Sequence, residues 1–359
     1  MSGAQPPGEG GRRRRRRRRR RAVAVVPAAA GQDSEGGQEA TDTGAAGAPR
    51  LIARRPRPGL TSRSRLHVRA NRRYLLRKQS AFQKIHLVRD ASGHVVLYLD
   101  KHIQFHSYDE HRYHEALATF PMLYRAPGSV RSALILGGGD GLAARELLRF
   151  EEIERLVNVE LDPEVTALAR RPPVSEINER SFFDPRVELV HQDAARYIEQ
   201  AHERFDLVLA DFPDPAAPVL AKLYAVEFYQ RLKRLLRPGA LVCVQSLFLP
   251  LVYCCIGANL REAFRHVLPY RTSMTTMVYS GFHLAADEPL VRRRPIPDWT
   301  RYLNEGAIAD MQAFAADEQA YLLRHPPVRD VHRACIAAMR EDEALYATVW
   351  QTLAARQRD

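Results

Sequence analysis

The amino-acid sequence predicts an α/β protein whose main sheet is doubly wound and follows a small antiparallel β unit. The first observation is a glycine-rich turn at 137–141, between an apolar run and residues with helical apolar spacing. The second is the alternation of short apolar runs with helical stretches from residue 132 to about 245. The third is a hairpin pattern between residues 82 and 105. In a sheet of this class, ligands bind where the strands end.

The upstream pattern predicts three antiparallel strands and one helix. Apolar and polar side chains alternate in the first strand, and the sequence Asp-Ala-Ser-Gly-His at 90–94 is typical of a hairpin turn. The helix stops before Pro127-Gly128. We expect this β-hairpin domain plus helix to span residues 71–128. The predicted strands are 82–88, 95–99 and 103–105, and the predicted helix is 110–123.

From residue 132 onward the alternation predicts a parallel sheet with helices on both faces, in a catalytic domain that spans residues 129–290. Beyond Pro295 the spacing is helical, and we expect a C-terminal helical extension over residues 291–359. The predicted strands are 133–136, 156–160, 187–191, 207–211 and 240–245. The predicted helices are 142–150, 163–170, 194–202, 226–236, 307–314 and 328–340, and 236–239 is a predicted turn.

The positive charge of the chain is concentrated near its start. Ten consecutive arginines at 12–21 supply ten of the twelve net positive charges, so the rest of the chain carries only +2. A basic nucleic-acid-binding fold is therefore not indicated. Residues 1–70 contain no Phe, Trp or Tyr, and we expect them to form a disordered tail. The arginine run is suited to weak polyanion binding, although a solvated tail without a specific role is the simpler interpretation.

The cysteine spacing and the hydropathy favour a cytoplasmic protein. The four cysteines match no metal-binding pattern, so we expect no metal site and a reduced environment. No apolar run approaches the ~20 residues that a membrane span needs. The arginine run and the apolar residues after it only faintly resemble a twin-arginine export signal, because the apolar part is short and contains Pro27.

Acidic residues follow four successive predicted strands. Asp140 lies in the glycine turn, Glu160 ends the second strand, Asp193 follows the third, and Asp211 ends the fourth with Asp214 close by. Carboxylates crowded in one cleft repel each other unless a cation joins them, so the sequence predicts an acidic cleft that binds a cationic substrate. Glu160 has the spacing of an acid that accepts ribose hydroxyls, and Asp193 is placed to bind an adenine amino group. Taken singly, Asp193 and Asp214 are equally explained as helix N-caps.

The glycine turn is not of the ordinary dinucleotide type. Gly137 and Gly139 are present, but Leu142 holds the last position of the G-x-G-x-x-G pattern. The carboxylate of Asp140 would also repel a pyrophosphate. The sequence therefore favours an adenosine-type ligand that carries a positive charge.

The chain resembles the spermidine synthase family of polyamine aminopropyltransferases. The resemblance rests on four strand-end motifs and on segments around them, and it implies a Rossmann-like, methyltransferase-type sheet in a homodimer. The Phe-Pro pair between Asp211 and Asp214 looks closest to bacterial members of the kind often fused to membrane helices. The strand-end motifs are 134–146, 159–162, 192–194 and 211–215, and the other segments are 80–85, 97–105, 109–117 and 222–229.

The resemblance implies that the chain transfers an aminopropyl group from decarboxylated S-adenosylmethionine, its co-substrate, to a polyamine without a metal. Asp211 is the implied catalytic base. An alkylamine with a pKa near ~10 is protonated at neutral pH and needs such a base before it can attack. The implied donor contacts are Gln83, Gln104, Gly137, Gly139, Asp140, Glu160, Asp193 and Ala194. The implied acceptor contacts are Tyr113, His114, Asp214 and Tyr279.

Three positions depart from the family pattern and leave the acceptor open. His114 stands where many spermidine synthases have glutamine, Gln192 replaces a glycine, and the segment around Tyr279 lacks a tryptophan. Two other functions are also open. One is an S-adenosylmethionine-dependent methyltransferase, which Asp140 disfavours because its carboxylate would repel that of the ordinary cofactor. The other is a catalytically silent scaffold whose arginine tail binds polyanions, which the retained acids disfavour.

Overall fold

The computed structural model describes residues 73–324, except residues 101, 214, 216–217, 248–249 and 277. The arginine run, the rest of the predicted tail and the predicted helix at 328–340 lie outside the described residues. The described part contains a four-stranded sheet and a seven-stranded sheet. The predicted fold class is therefore confirmed, and the details below show where the elements differ.

The smaller sheet is antiparallel throughout, in the order β1-β2-β3-β4. The hairpin between β2 and β3 forms because the Asp90 carboxylate accepts hydrogen bonds from the backbone N–H groups of Ser92 and His94, both at 2.9 Å. β1 was not predicted, because most of its side chains are exposed and its polar residues do not alternate with buried ones. The strands are β1 Arg73–Gln79, β2 Lys84–Arg89, β3 Val95–Leu99 and β4 His102–His106.

The larger sheet has the order β10-β11-β9-β8-β5-β6-β7. The five adjacent strands β9, β8, β5, β6 and β7 are parallel, whereas β11 is antiparallel to both of its neighbours. The prediction of a parallel sheet was thus incomplete, since the sheet is mixed. The strands are β5 Ser132–Gly137, β6 Arg155–Glu160, β7 Val187–His191, β8 Phe205–Asp211, β9 Leu236–Leu247, β10 His266–Met274 and β11 Val278–Ala286.

The helices pack on both faces of the larger sheet. The predicted helix at 226–236 ends at Leu232, and the predicted turn at 236–239 lies within β9, because Leu236 pairs with Phe205. The helices are α1 Glu110–His114, α2 Phe120–Met122, α3 Leu142–Leu148, α4 Pro163–Ala169, α5 Val174–Ile177, α6 Ala194–Gln200, α7 Pro218–Ala221, α8 Val226–Leu232, α9 Pro250–Ala263, α10 Glu305–Met311 and α11 Ala316–Arg324. A π-helical segment, Glu115–Thr119, joins α1 to α2, and 3-10 turns form at Ser181–Phe183, Lys222–Tyr224 and Lys233–Leu235.

The hydrophobic core occupies both faces of the larger sheet. The central strands β5 and β8 read as continuous apolar runs because both of their faces are covered. One buried cluster continues into the smaller sheet through Ile85 and Phe105. The other lies beneath α6 and α8 and includes Phe228. This packing fixes the carboxyl ends of β5 and β8, where the chain changes its winding direction and ligands bind in such sheets.

Two further findings concern only the described residues. Among their helices, none has both the length and the apolar character for crossing a bilayer. Their His, Cys, Asp and Glu side chains form no group of three or more that could hold a metal ion. Cys243, Cys254 and Cys255 are buried and form no disulfide with the described residues.

Candidate active site

The glycine turn lies directly against the ends of β6 and β8. Gly137 has φ +88°, and a side chain at this position would collide with the carbonyl oxygen of Asp211. A Cβ atom on Gly139 would lie 2.7 Å from Oε2 of Glu160. Position 137 therefore requires glycine, and glycine at 139 lets the turn lie against the Glu160 side chain. The turn brings the backbone close to two of the predicted strand-end acids.

Asp140 occupies the end of this turn and is 9% exposed. Its Oδ1 accepts a hydrogen bond from the N–H of Leu142 at 2.9 Å, which starts α3. Its carbonyl accepts from Nδ2 of Asn178 at 2.8 Å. Burial raises the pKa of Asp140, and the positive charge of His114 opposes that rise. A cation bound beside Asp140 would favour its ionised form.

Glu160 ends β6 and has a strongly raised pKa. Burial, together with the negative charges of Asp162, Asp140 and Asp211, raises the pKa to about 7. The Oε1 atom accepts one hydrogen bond, from the N–H of Asp162 at 2.9 Å. A ligand that donates hydroxyl groups to this carboxylate would stabilise the ionised form.

Asp162 connects this edge of the larger sheet with the antiparallel unit. Its Oδ2 accepts from the Ser80 hydroxyl at 2.6 Å and from Nε2 of Gln83 at 3.0 Å. Its Oδ1 accepts from the N–H of Glu164 at 3.0 Å and so caps α4. Gln83 is thereby held next to the residue that bonds Glu160. The sequence reasoning missed Asp162, although an Asp followed by Pro163 is a recognisable helix start.

Asp211 ends β8, where it pairs in register with Gly137. The Tyr113 hydroxyl donates a hydrogen bond to Oδ1 of Asp211 at 2.5 Å. Burial, followed by the charge of Asp140, raises the pKa of Asp211 to about 6, while His114 and the bond from Tyr113 act against this rise. The carboxylate is therefore ionised at neutral pH and can accept a proton.

A buried ion network lies behind Tyr113. Nδ1 of His114 is 2.9 Å from Oε2 of Glu110, and Glu110 makes two bonds with Arg145 at 3.0 and 2.9 Å. Burial opposes ionisation of Glu110, but His114 and Arg145 lower its pKa to about 2. Burial also opposes ionisation of His114 and would lower its pKa. The bond to Glu110 outweighs this effect, so that the pKa of His114 rises. The network places a positive charge close enough to act on Asp140 and Asp211.

Glu110 and Arg145 were not predicted as site residues. The one available signal was the i,i+4 spacing of Glu110 and His114 on a helix. Arg145 lies 35 residues from Glu110, so no local pattern joins the pair.

Asp193 caps a helix, which is one of the two roles that the sequence predicted for it. Its Oδ1 accepts from the N–H of Arg196 at 3.0 Å, at the start of α6. Its Oδ2 lies 3.9 Å from Nζ of Lys222. Ala194, the next residue, is buried. The Oδ2 atom, which does not cap the helix, thus faces Lys222, and the contact of Asp193 with adenine stays a prediction.

Some of the predicted site residues have no described contact with the strand-end acids. Nε2 of Gln104, on β4, bonds the His102 carbonyl at 3.3 Å. The backbone of Tyr279 pairs with Ser273 in the β10–β11 hairpin, but its side chain lies outside the described part. Asp214 also lies outside the described residues. The structure thus brings together one set of predicted residues, Tyr113, His114, Gly137, Gly139, Asp140, Glu160 and Asp211, with Gln83 linked to it through Asp162.

This arrangement combines a group of neighbouring acids with an oriented proton acceptor. The charges of Asp140 and Asp211 raise the pKa of Glu160, and that of Asp140 raises the pKa of Asp211, so a cation bound there would relieve the repulsion. Asp211 has a defined orientation because Tyr113 binds one of its oxygens. The geometry suits proton removal from a bound cationic amine.

Comparison with known proteins identifies relatives of one kind. The family model described as "Spermine/spermidine synthase domain" matches residues 110–295. The chain is 38% identical over 229 residues to polyamine aminopropyltransferase 2 of Ralstonia nicotianae. The matched region covers 62% of this chain and 44% of that protein. It is 38% identical over 249 residues to the polyamine aminopropyltransferase of Mycobacterium tuberculosis H37Rv, covering 67% and 46%. The chain thus spans about half the length of the curated relatives it matches.

A similar fold occurs among solved structures. Spermidine synthase from Thermotoga maritima superposes with a TM-score of 0.62 at 25% identity, over 70% of this chain and 87% of that one. A structure of spermidine synthase in complex with the transition-state analogue AdoDATO matches with the same score and coverage. The comparisons support the resemblance to spermidine synthases but do not bear out the narrower one to members fused to membrane helices.

Proposed function

Because the chain belongs to the spermine/spermidine synthase family, we propose that it transfers an aminopropyl group from decarboxylated S-adenosylmethionine to an amine of a polyamine. One observation carries the proposal most directly. The carboxylate of Asp211 is half-buried at a strand end and oriented by Tyr113, and it interacts electrostatically with two further carboxylates, Asp140 and Glu160. A cationic amine would bind there and lose its proton there.

The proposed reaction is one displacement. The amine nitrogen attacks the aminopropyl carbon that is bonded to the sulfonium sulfur. The new C–N bond forms as the C–S bond breaks, and the electron pair of that bond stays on sulfur in methylthioadenosine. Asp211 accepts the proton that the attacking nitrogen must lose, which its ionised state at neutral pH allows.

We assign the donor contacts to the strand ends. Glu160 would accept the ribose hydroxyls, and Asp140 would pair with the primary ammonium of the aminopropyl group. Without side chains at Gly137 and Gly139, the turn lies directly against Asp211 and Glu160, where the donor would bind. In the proposal, three residues, Gln104, Asp193 and Ala194, bind the nucleoside, and Gln83 closes the site from the antiparallel unit through its bond to Asp162.

The acceptor side of the cleft is assigned to the residues near Asp211. Tyr113 and His114 lie on it, and Asp214 and Tyr279 are included on the resemblance of their motifs alone. His114 stands where many spermidine synthases have an uncharged glutamine. Its bond to Glu110 raises the pKa of the imidazole and favours the positively charged form. A positive charge there repels an acceptor ammonium, so the polyamine that is accepted has to be identified by experiment.

Several wider assignments belong to the same proposal. We divide the chain into the antiparallel unit at 71–128, the catalytic domain at 129–290 and the extension at 291–359, in a homodimer. The cysteine spacing, which matches no metal or disulfide pattern, supports a reducing, cytoplasmic environment. The composition of residues 1–70 supports a tail that binds polyanions weakly through its arginines.

Product identification tests the proposed function. The purified protein would be incubated with decarboxylated S-adenosylmethionine and each of putrescine, cadaverine, agmatine, spermidine and spermine, with ordinary S-adenosylmethionine in parallel reactions. We expect at least one acceptor to gain the mass of one aminopropyl group, together with methylthioadenosine. Methylated products from ordinary S-adenosylmethionine, or no product with any acceptor, would contradict the proposal.

A further inference from the structure

The helix that carries Tyr113 changes its hydrogen-bonding register immediately after the site residues. Residues Glu115–Thr119 form a π-helical segment, in which the N–H of Phe120 bonds the carbonyl of Glu115 five residues earlier. All five residues of this segment are buried. π-helical turns inside α-helices are rare and occur often at functional sites.

Pro121 gives the physical reason for this register. In a regular α-helix the ring of Pro121 would clash with the carbonyl of Leu117, four residues earlier. The wider π turn relieves that clash, but it leaves the carbonyl of Ala116 without a helical donor. The N–H of Phe120 is already used by Glu115, and the next position is a proline, which has no N–H.

Tyr270 supplies the missing donor. Its side chain is fully buried on β10, and its hydroxyl donates to the Ala116 carbonyl at 2.8 Å. The same hydroxyl lies 3.0 Å from Sγ of Cys243. A buried carbonyl without a donor is costly, so the hydroxyl of Tyr270 stabilises the π register specifically.

The register determines where Tyr113 points. The far end of the segment is held in the core, where Phe120 packs against Tyr270 with 4.5 Å between ring centroids. Moving the segment by one residue would rotate one end of the helix relative to the other by about 100° and shift it by about 1.5 Å. The 2.5 Å bond from Tyr113 to Asp211 would not survive such a rotation.

We infer that Tyr270 is a positioning residue: its hydroxyl bond to the Ala116 carbonyl holds the π-helical segment in the register that directs Tyr113 toward Asp211. Ring packing supports the same link, since Phe282 contacts Tyr270 at 5.3 Å and Tyr113 at 5.1 Å between ring centroids. The kinetic consequence of this inference rests on the proposed function, whereas the register itself does not.

The test compares Tyr270→Phe with a matched control, Cys243→Ala. The control removes the other neighbour of the Tyr270 hydroxyl but keeps its bond to Ala116. We expect Tyr270→Phe to lower kcat by about 10- to 100-fold, because a displacement of about 1 Å can cost two orders of magnitude. The KM for the donor should change little, and Cys243→Ala should retain nearly the full kcat.

Two further measurements separate positioning from general loss of structure. The double variant Tyr113→Phe/Tyr270→Phe should have the kcat of Tyr113→Phe alone, since residues that act through one contact are not additive. In Tyr270→Phe the acidic limb of the pH–kcat profile should move to higher pH. Burial and the charge of Asp140 raise the pKa of Asp211, whereas the bond from Tyr113 lowers it. Loss of that bond should therefore let the pKa of Asp211 rise. His114, the other group that acts on Asp211, is unchanged in this variant.

A crystal structure of Tyr270→Phe and NMR titration of the Asp211 carboxyl give readouts that need no turnover. We expect a changed register at 115–119 and loss of the Tyr113–Asp211 bond. An unchanged register with that bond intact, or additive losses of kcat in the double variant, would overturn the inference. If Tyr270→Phe does not fold, 4-aminophenylalanine at position 270 keeps a donor, and a low kcat in that folded variant would also overturn it. Failure of the wild type to transfer an aminopropyl group would contradict the proposed function alone.

Discussion

Individual carboxylates give the cleft its chemistry. Burial and mutual repulsion raise the pKa of Asp211 to about 6 and that of Glu160 to about 7. Both groups therefore titrate close to physiological pH, and each should leave its own signature. Asp211 should affect the chemical step, whereas Glu160 should affect the binding of every ligand that carries the ribose.

Asp211→Asn should lower kcat by about 10²- to 10⁴-fold, the typical loss when a general base is removed. Wild-type kcat/KM should rise with pH through about 6, because the base must be ionised and its pKa in the free protein is raised to about that value. Steady-state kinetics between pH 5 and 8 measure both effects. Asp287→Asn is the matched control, since Asp287 is a surface residue paired with Lys233. Turnover of Asp211→Asn within a few-fold of wild type would reassign the base, first to Asp214.

Glu160 should make the binding of methylthioadenosine depend on pH. The carboxyl is protonated below about 7 in the free protein, and hydroxyl donors prefer the ionised form, so affinity should rise with pH up to about 7 and then level off. Calorimetry from pH 5 to 8 measures this. Glu160→Gln should weaken binding by about 1.5–3 kcal/mol and flatten the profile. Glu164→Gln, an exposed neighbour paired with Lys78, is the control. A flat profile in the wild type would place Glu160 away from the ribose.

The strand-end acids could be found from the sequence because each ends a recognisable strand. Asp140, Glu160 and Asp211 come together since the carboxyl ends of parallel strands share one edge of the sheet. The ion pair of Glu110 and Arg145 could not be found in this way. It joins two helices whose relative placement depends on tertiary packing, and neither residue follows a strand.

At the level of the elements, apolar periodicity identified the buried parallel strands but not the elements whose exposure varies. The β10–β11 hairpin was missed because polar side chains such as Thr272, Ser280 and His283 are buried within it. The π-helical segment was predicted as ordinary helix. Its cause, Pro121, is visible in the sequence, but the donor that makes the register tolerable, Tyr270, is 154 residues from Ala116.

Glu115 ties the π-helical segment to the chain beyond the sheet. Its buried carboxylate accepts hydrogen bonds at 2.8–3.0 Å from the backbone N–H groups of Arg301, Tyr302 and Leu303. An amide has only one acceptor oxygen, so Glu115→Gln should leave at least one N–H unsatisfied and lower the free energy of unfolding by about 1–3 kcal/mol. Urea denaturation measures the change. Glu154→Gln, at an exposed pair with Arg131, should have little effect. Equal effects of the two substitutions would contradict this role.

For the whole molecule, the order of strands and helices predicted the α/β class because every predicted strand of the larger sheet is present. The mixed character of the sheet was not predictable from the same pattern. Antiparallel pairing of β11 depends on how the chain returns after β10, which apolar spacing does not report. The comparison with spermidine synthase agrees with the fold as a whole.

The arginine run at 12–21 should act independently of the catalytic fold. Deleting residues 1–60 should leave the melting temperature and turnover nearly unchanged, because that segment has no aromatic residue and few large apolar ones to pack. The full chain should bind heparin with a steep dependence on salt, and the deletion variant should not. Replacing the ten arginines by serines is the matched control for chain length. A large fall in melting temperature on deletion would show that part of the segment packs on the fold.

The central expectation for the protein is that its acidic cleft selects a donor without a carboxylate. Two unit charges ~4 Å apart interact by about 4 kcal/mol at an effective dielectric of ~20, which is an upper value where water enters. Calorimetry would give the dissociation constants of decarboxylated and ordinary S-adenosylmethionine for the wild type and for Asp140→Ala. We expect the wild type to bind the decarboxylated donor more tightly and Asp140→Ala to narrow the ratio. Tighter binding of ordinary S-adenosylmethionine by the wild type would contradict aminopropyl transfer and favour a methyltransferase.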